Sequence, residues 1–160
     1  MPSCARRLSE QLADYMATNP KAVLYGMGVA DGATWALGLG EVPHARFPDR
    51  CWDAPACEAT LTGMALGLSD MGWHPILVHC RTNFRWLAED MMRNHVWRWK
   101  TMYGREPHIT IICAWGDTAG QGAQHNDGGW CACGGELADA LAGGAHIWEV
   151  PLSWLRKEAS

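Results

Sequence analysis

Asp53-Ala54-Pro55-Ala56-Cys57-Glu58-Ala59, running on as Thr60-Leu61-Thr62-Gly63-Met64-Ala65-Leu66-Gly67, is the stretch that decides the fold. It follows a short apolar run that ends at Cys51-Trp52 and is stopped by Pro55, so a strand gives way there to a helix rich in Ala, Leu, Met and Gly. Glu58 falls in the first turn of that helix. An acid in this place complements the positive helix end, an effect of a few tenths of a kcal/mol when exposed. A lone carboxylate where a strand turns into a helix is equally a candidate for chemistry.

Working outward, Ser3 caps an opening helix with apolar positions at Leu8, Leu12, Tyr15 and Met16, ended by Asn19-Pro20. Ala22 to Tyr25 reads as a short buried strand, and Gly26 to Gly40 as a glycine-rich loop. The Cys57 to Met71 helix leads through Gly72 to a strand at Ile76 to His79, and a long helix is expected from Arg85 to Tyr103. His108 to Ala114 is an almost unbroken β-branched run, which argues for a strand buried on both faces. A second glycine-rich loop, Gly116 to Gly129, precedes a helix at Glu136 to Leu141, a strand at His146 to Val150 and a short closing helix.

Strands alternating with helices predict a three-layer α/β/α sandwich around a mainly parallel sheet. Ligands bind such sheets at the carboxyl ends of the strands. Both glycine-rich loops, the Glu58 turn and Thr82-Asn83-Phe84 leave strands at that edge, so the candidate residues converge on one rim.

The 160 residues suffice for one domain with a real core and are too few for two ordinary ones. A hydrophobic content of 48%, a charged content of 19% and a net charge of −4 fit a soluble globular protein, with no electrostatic reason to expect nucleic acid or an anionic membrane as partner. The amino terminus runs straight into an amphipathic pattern without a secretory apolar core, and no apolar run reaches bilayer length, so a cytoplasmic chain is expected. The seven cysteines are scattered, and Cys80 and Cys113 lie in apolar runs where a free thiol acts as a small hydrophobe. Cys131-Ala132-Cys133, with His125, could hold a metal but lacks a second pair at zinc spacing, and no metal site is assigned. Ten tryptophans are more than a monomer of this length buries easily; Trp35, Trp73, Trp86, Trp97, Trp99 and Trp130 point to an interface.

The string Asp-x-Pro-x-x-Glu-Ala followed by Thr-Gly-x-Ala-x-Gly resembles the pyrimidine-binding domain of the thiamine-diphosphate enzymes. Within this transketolase-like group the likeness is greatest to the β subunit of the decarboxylating component of pyruvate and branched-chain 2-oxo-acid dehydrogenases. It runs from Leu8 to Val150. Leu24-Tyr25-Gly26-Met27-Gly28-Val29-Ala30 looks like the family's first strand and glycine turn, and Gly72-Trp73-His74-Pro75-Ile76 like its Gly-x-x-Pro step into a later strand. Thr82-Asn83-Phe84 matches the segment after that strand, Asp90, Asn94 and Arg98 its following helix, and Gly120-Gln121-Gly122-Ala123-Gln124-His125 the loop that carries a histidine.

The resemblance implies a single pyrimidine-binding domain over residues 1–160, without a diphosphate-binding domain and without the family's carboxyl-terminal domain. It implies that Glu58 hydrogen-bonds the N1′ nitrogen of the cofactor's aminopyrimidine, favouring the imino tautomer that removes the thiazolium proton and forms the ylide. The carboxyl must then share a proton at neutral pH, which calls for a dry site covered by a partner. Phe84 would stack on the pyrimidine, and His125 would reach the substrate carbonyl or acyl intermediate. Without the resemblance Phe84 reads equally as a core aromatic and His125 as an idle loop histidine. The catalytic candidates are therefore Glu58 and His125, and the cofactor-binding candidates Glu58 and Phe84; Asp90, Asn94 and Arg98 are expected to organise the helix surface and subunit contacts. Met27 stands where the family usually has an acid, and His79 where it has an aromatic.

The family's Gly-Asp-Gly, followed further on by Asn, which holds magnesium and diphosphate, has no counterpart; Trp115-Gly116-Asp117 has no such sequel. The implied enzyme is thus split, with magnesium and diphosphate on a separate α-type subunit in an α2β2 or larger assembly. Its reaction would be decarboxylation of a 2-oxo acid with acyl transfer. A transketolase-like or carboligase subunit acting on a ketose is the alternative within this chemistry, and a non-catalytic scaffold subunit of the same fold is the alternative outside it.

Overall fold

The computed structural model describes residues 4–34, 36–116, 122 and 137–151. Five apolar runs form five strands: β1 Ala22–Gly26, β2 Cys51–Asp53, β3 His74–His79, β4 Ile109–Trp115 and β5 Ala145–Pro151. They lie in the order β2-β1-β3-β4-β5, and every neighbouring pair is parallel. All five residues of β1 and all six of β3 are buried, as strands covered on both faces require.

Alternate side chains of these strands feed two cores. Leu24, Ile76, Val78, Ile112 and Trp148 pack with Leu12 and Met16 of α1 (Cys4–Thr18) and with Leu137 and Leu141 of α5 (Leu137–Leu141). Val23, Tyr25, Leu77, Ile111 and Cys113 pack on the other side with Leu61, Ala65 and Leu66 of α3 (Glu58–Asp70) and with Met92 and Val96. The result is the expected three-layer α/β/α sandwich. Arg50 closes the end of α1, its guanidinium donating to Met16 O, Asn19 O and Ala22 O around the turn from α1 into β1.

Gly26 ends β1 at φ +151°, where a Cβ would sit 2.3 Å from Val78 O of β3. Only glycine lets the chain leave the strand so close to its neighbour. Beyond it the stretch to Gly40 is a loop, as read from the sequence, and α2 (Glu41–Arg46) and a 3-10 turn at Pro48–Arg50 fill the way to β2.

The long helix expected from Arg85 to Tyr103 is not continuous. Thr82–Ala88 is 3-10 helix, Met91–Val96 is π-helix, with Trp97 N donating to Met92 O at 3.0 Å, and only α4 (Trp99–Tyr103) is a regular α-helix before Gly104 ends it at φ +72°. An apolar pattern reports which face is buried but does not distinguish a tighter from a wider turn. Trp86, Trp97 and Tyr103 stay exposed along this segment.

Candidate active site

The carboxyl ends of β1, β2 and β3 form the predicted rim. Glu58 is the first residue of α3, five positions beyond the end of β2, and is half-buried. Three side chains fix the turn that carries it. Tyr25 of β1 is fully buried and donates to Leu61 O at 2.8 Å, with burial holding its phenol well above its ordinary pKa. Thr62 donates to Glu58 O at 2.8 Å, and Thr62 Oγ1 lies 3.3 Å from Nε2 of His79 at the end of β3. The Thr62 proton is committed to a carbonyl, so Nε2 of His79 carries the hydrogen. Burial lowers His79 to about 4, which keeps it a neutral donor at physiological pH.

The Glu58 backbone is thus held from both β1 and β3, while its carboxylate accepts no hydrogen bond and makes no ion pair among the described residues. As the acid in the first turn of α3 it faces the positive helix end, and its half-exposed carboxylate is open to solvent or to a ligand.

Neighbouring charges define the rest of the rim. The Cys80 thiol, which donates to Met27 O at 3.1 Å, is pushed up to about 11, chiefly by burial; Arg81 opposes the shift, and the carboxylates of Glu58, Asp31 and Asp53 add to it. Three acids and one guanidinium are therefore near enough to the end of β3 to be felt by the Cys80 thiol. Asp31 organises the loop after β1 by accepting from Ala33 N, Thr34 N and Thr34 Oγ1. Arg81, only 7% exposed, and Thr82 tie the exit of β3 to that of β4 through Gly116 O and Ala114 O.

Phe84 is half-buried in the 3-10 segment, its N–H bonded to Arg81 O at 3.1 Å. That segment packs against α3, so the structure brings the Phe84 and Glu58 elements together on one side of the sheet. Arg85, next in sequence, lies 3.5 Å from the buried carboxylate of Glu149 on β5, with its guanidinium over the Trp86 ring. His125 lies outside the described residues, as do Trp35, Trp130, Cys131 and Cys133. Asn94 donates to Asp90 at 2.6 Å on the surface, whereas the π-turn between Asp90 and Arg98 breaks the i, i+8 alignment that a regular helix would give.

Sequence reasoning missed the Thr62–His79 pair and the Arg81 guanidinium. Thr62 was part of the quoted string and His79 a noted departure, but nothing in the sequence says that they meet.

The fold is a parallel α/β sandwich whose carboxyl edge presents a glutamate that makes no hydrogen bond or ion pair among the described residues. Comparison with known proteins agrees. The chain is similar to the 3-methyl-2-oxobutanoate dehydrogenase subunit beta of Mycobacterium tuberculosis, 27% identical over 125 residues that make up 75% of this chain and 35% of that one. It is 29% identical over 123 residues to the mitochondrial pyruvate dehydrogenase E1 component subunit beta-1 of Oryza sativa subsp. japonica, covering 74% of this chain and 32% of that one. A 1-deoxy-D-xylulose-5-phosphate synthase of Dehalococcoides mccartyi is 33% identical over 76 residues, 48% of this chain and 11% of the synthase. Among solved structures, a split-gene transketolase described as an inactive β4 tetramer superposes with a TM-score of 0.55 and 19% identity, over 71% of this chain and 34% of that one. No protein-family model matches. The chain spans about a third of the length of the dehydrogenase β subunits it matches. Sequence relatives and fold together support the family read from the motifs, that of thiamine-diphosphate pyrimidine-binding domains.

Proposed function

We propose that this chain is the pyrimidine-binding part of a split thiamine-diphosphate enzyme, acting with a separate α-type subunit that holds diphosphate and magnesium. The observation that carries this reading is Glu58: a half-buried carboxylate, its backbone fixed by Tyr25 and Thr62, with no partner of its own among the described residues. When bound, thiamine diphosphate supplies an acidic thiazolium carbon that, once deprotonated, attacks a carbonyl.

The residues present suit the cofactor's pyrimidine half. Glu58 offers an oxygen to a ring nitrogen and holds or returns the proton there, and Phe84, on the neighbouring segment, is the proposed stacking residue. The neutral His79 keeps the Glu58 turn in place without adding a positive charge that would bind the carboxylate. Half-burial leaves Glu58 open on one side, so a partner surface must exclude the remaining water. His125 is the proposed acid toward the substrate carbonyl.

The relatives favour a 2-oxo acid as substrate, with acyl transfer to follow. A transketolase-like reaction on a ketose is kept alive by the matches to the synthase and to the split-gene transketolase. The exposed Trp52, Trp86 and Trp97 fit a chain that is covered by other subunits in an α2β2 or larger assembly.

The test is Glu58→Gln in the chain co-purified with its diphosphate-binding subunit. Assembly is expected to be intact and turnover to fall by two or more orders of magnitude, the usual scale for losing a positioned proton donor. Turnover within a factor of two of the parent would reduce Glu58 to a helix-end charge. The isolated chain is expected to bind thiamine diphosphate weakly in calorimetry, and submicromolar binding would overturn the split-site reading.

A further inference from the structure

At the opposite, amino edge of the sheet, between the starts of β1, β3 and β4, lies a cavity of about 540 Å³. This is within the size range of small-molecule sites. It sits one length of β3 away from the Glu58 rim, about 17–20 Å for a six-residue strand.

Its walls are of two kinds. His74 and His108 stack with ring centroids 3.6 Å apart, and the half-buried Trp73 lines the same cavity. Both nitrogens of His74 are already engaged, Nδ1 by Tyr15 OH at 2.6 Å and Nε2 by Thr110 Oγ1 at 2.9 Å. Burial and the neighbouring His108 and His146 lower it to about 3, so it contributes shape and not charge. His108 gives its Nε2 hydrogen to Leu141 O at 3.3 Å, and Ser69 Oγ accepts the His108 N–H at 2.7 Å, which leaves the Ser69 proton free to donate.

Two charged groups line the cavity, Lys21 and Glu106. Lys100 neutralises Glu106 at 2.7 Å. Lys21 has no carboxylate partner among the described residues; its ammonium lies over the turn at Gly72, 3.5 Å from where a Cβ there would stand. The cavity therefore has aromatic rings in its lining, a hydroxyl donor and one positive charge without a carboxylate partner among the described residues.

We infer that this cavity is a binding site for a small aromatic carboxylate, its ring against Trp73 and the His74–His108 stack and its charge on Lys21. A ligand with one negative charge matches the single free ammonium; a dianion would leave a charge unpaired beside Glu106, and a cation would meet Lys21. The site is distinct from the proposed cofactor rim and stands whether or not that reading holds.

The test is an NMR titration of the full-length chain, labelled on histidine and tryptophan, with benzoate, benzyl alcohol and benzylamine in turn. Benzoate is expected to bind saturably at one site, shifting the His74, His108 and Trp73 ring signals. Lys21→Gln is expected to weaken benzoate about fivefold, to the level of benzyl alcohol, the scale of one exposed charge pair, and Lys21→Arg to restore it. Benzylamine binding as well as benzoate, no saturation by tens of millimolar, or identical benzoate curves for the parent and Lys21→Gln would each overturn the assignment. Shifts confined to His79, beside the Glu58 turn, would do the same.

Discussion

The two edges of this sheet use the same device for different ends. At the amino edge, His74 bonds Thr110, and Thr110 donates to Ala140 O near the end of α5 at 2.8 Å. At the carboxyl edge, His79 bonds Thr62, and Thr62 donates to Glu58 O at the start of α3. Each relay pins a helix terminus to a strand through a buried neutral histidine. At the amino edge, His108 also donates to Leu141 O, and the Tyr15 hydroxyl donates to the remaining nitrogen of His74 at 2.6 Å, so the helix end is held from several sides. At the carboxyl edge the relay stops at the backbone and leaves the carboxylate of Glu58 uncommitted. The difference is that between a helix end whose polar groups are tied down and one that leaves a side-chain carboxylate without a partner among the described residues.

The most damaging change to the frame shared by both edges is Gly26→Ala. A Cβ 2.3 Å from Val78 O, at a φ that disfavours any side chain, is expected to cost more than about 3 kcal/mol, read as a fall in the denaturation midpoint or as insoluble expression. A variant as stable as the parent would show that β1 and β3 do not approach so closely.

Matched substitutions at the relays sharpen the contrast. Thr110→Val strands the His74 N–H and the Ala140 carbonyl in a fully buried place, at an expected cost of about 2–3 kcal/mol in urea denaturation. Thr62→Val is expected to cost less, about 1–2 kcal/mol, because its bond to His79 is the longer one. Under the proposed function, only Thr62→Val should lower the activity of the complex with the diphosphate-binding subunit beyond what lost stability explains. Equal activity in both variants would break the distinction between the edges.

Both relays also set a pH dependence of one sign. His74 and His79 have folded-state values near 3 and 4, below the 6.5 of a free imidazole. The unfolded chain therefore binds more protons across that window. Stability from these sites is complete above about pH 6.5 and is lost as pH falls through 4 toward 3. His79→Gln should flatten the part of this loss above pH 4; an unchanged profile would show that His79 titrates normally. The smallest effect is chemical: with its thiol raised to about 11, Cys80 should resist iodoacetamide at neutral pH, while the exposed Cys57 reacts. Rapid labelling of Cys80 would mean that the rim opens to solvent.

The parallel sheet was legible because β4 is a β-branched run and because Pro55 and Gly72 punctuate the passages into α3 and β3. The Glu58 position was legible for the same reason, since a strand end and a helix start bracket it. The segment from Thr82 to Tyr103 was misread as one helix, because burial of Ala88, Met92 and Val96 satisfies an α-helical period while the hydrogen bonds run in 3-10 and π registers. The histidine relays were not legible at all. His79 and Thr62 are 17 residues apart and His74 and Thr110 are 36 apart, separations at which only the strand order decides who meets whom. His125 was read from a motif alone and lies outside the described residues.

The central claim, that the uncommitted Glu58 carboxylate governs proton movement at the cofactor, is tested most directly by hydrogen–deuterium exchange at the thiazolium carbon of thiamine diphosphate in the reconstituted complex. Exchange is expected to be fast with the parent chain and slower by orders of magnitude with Glu58→Gln, at unchanged assembly and cofactor occupancy. Exchange as fast in the Gln variant as in the parent would contradict the claim.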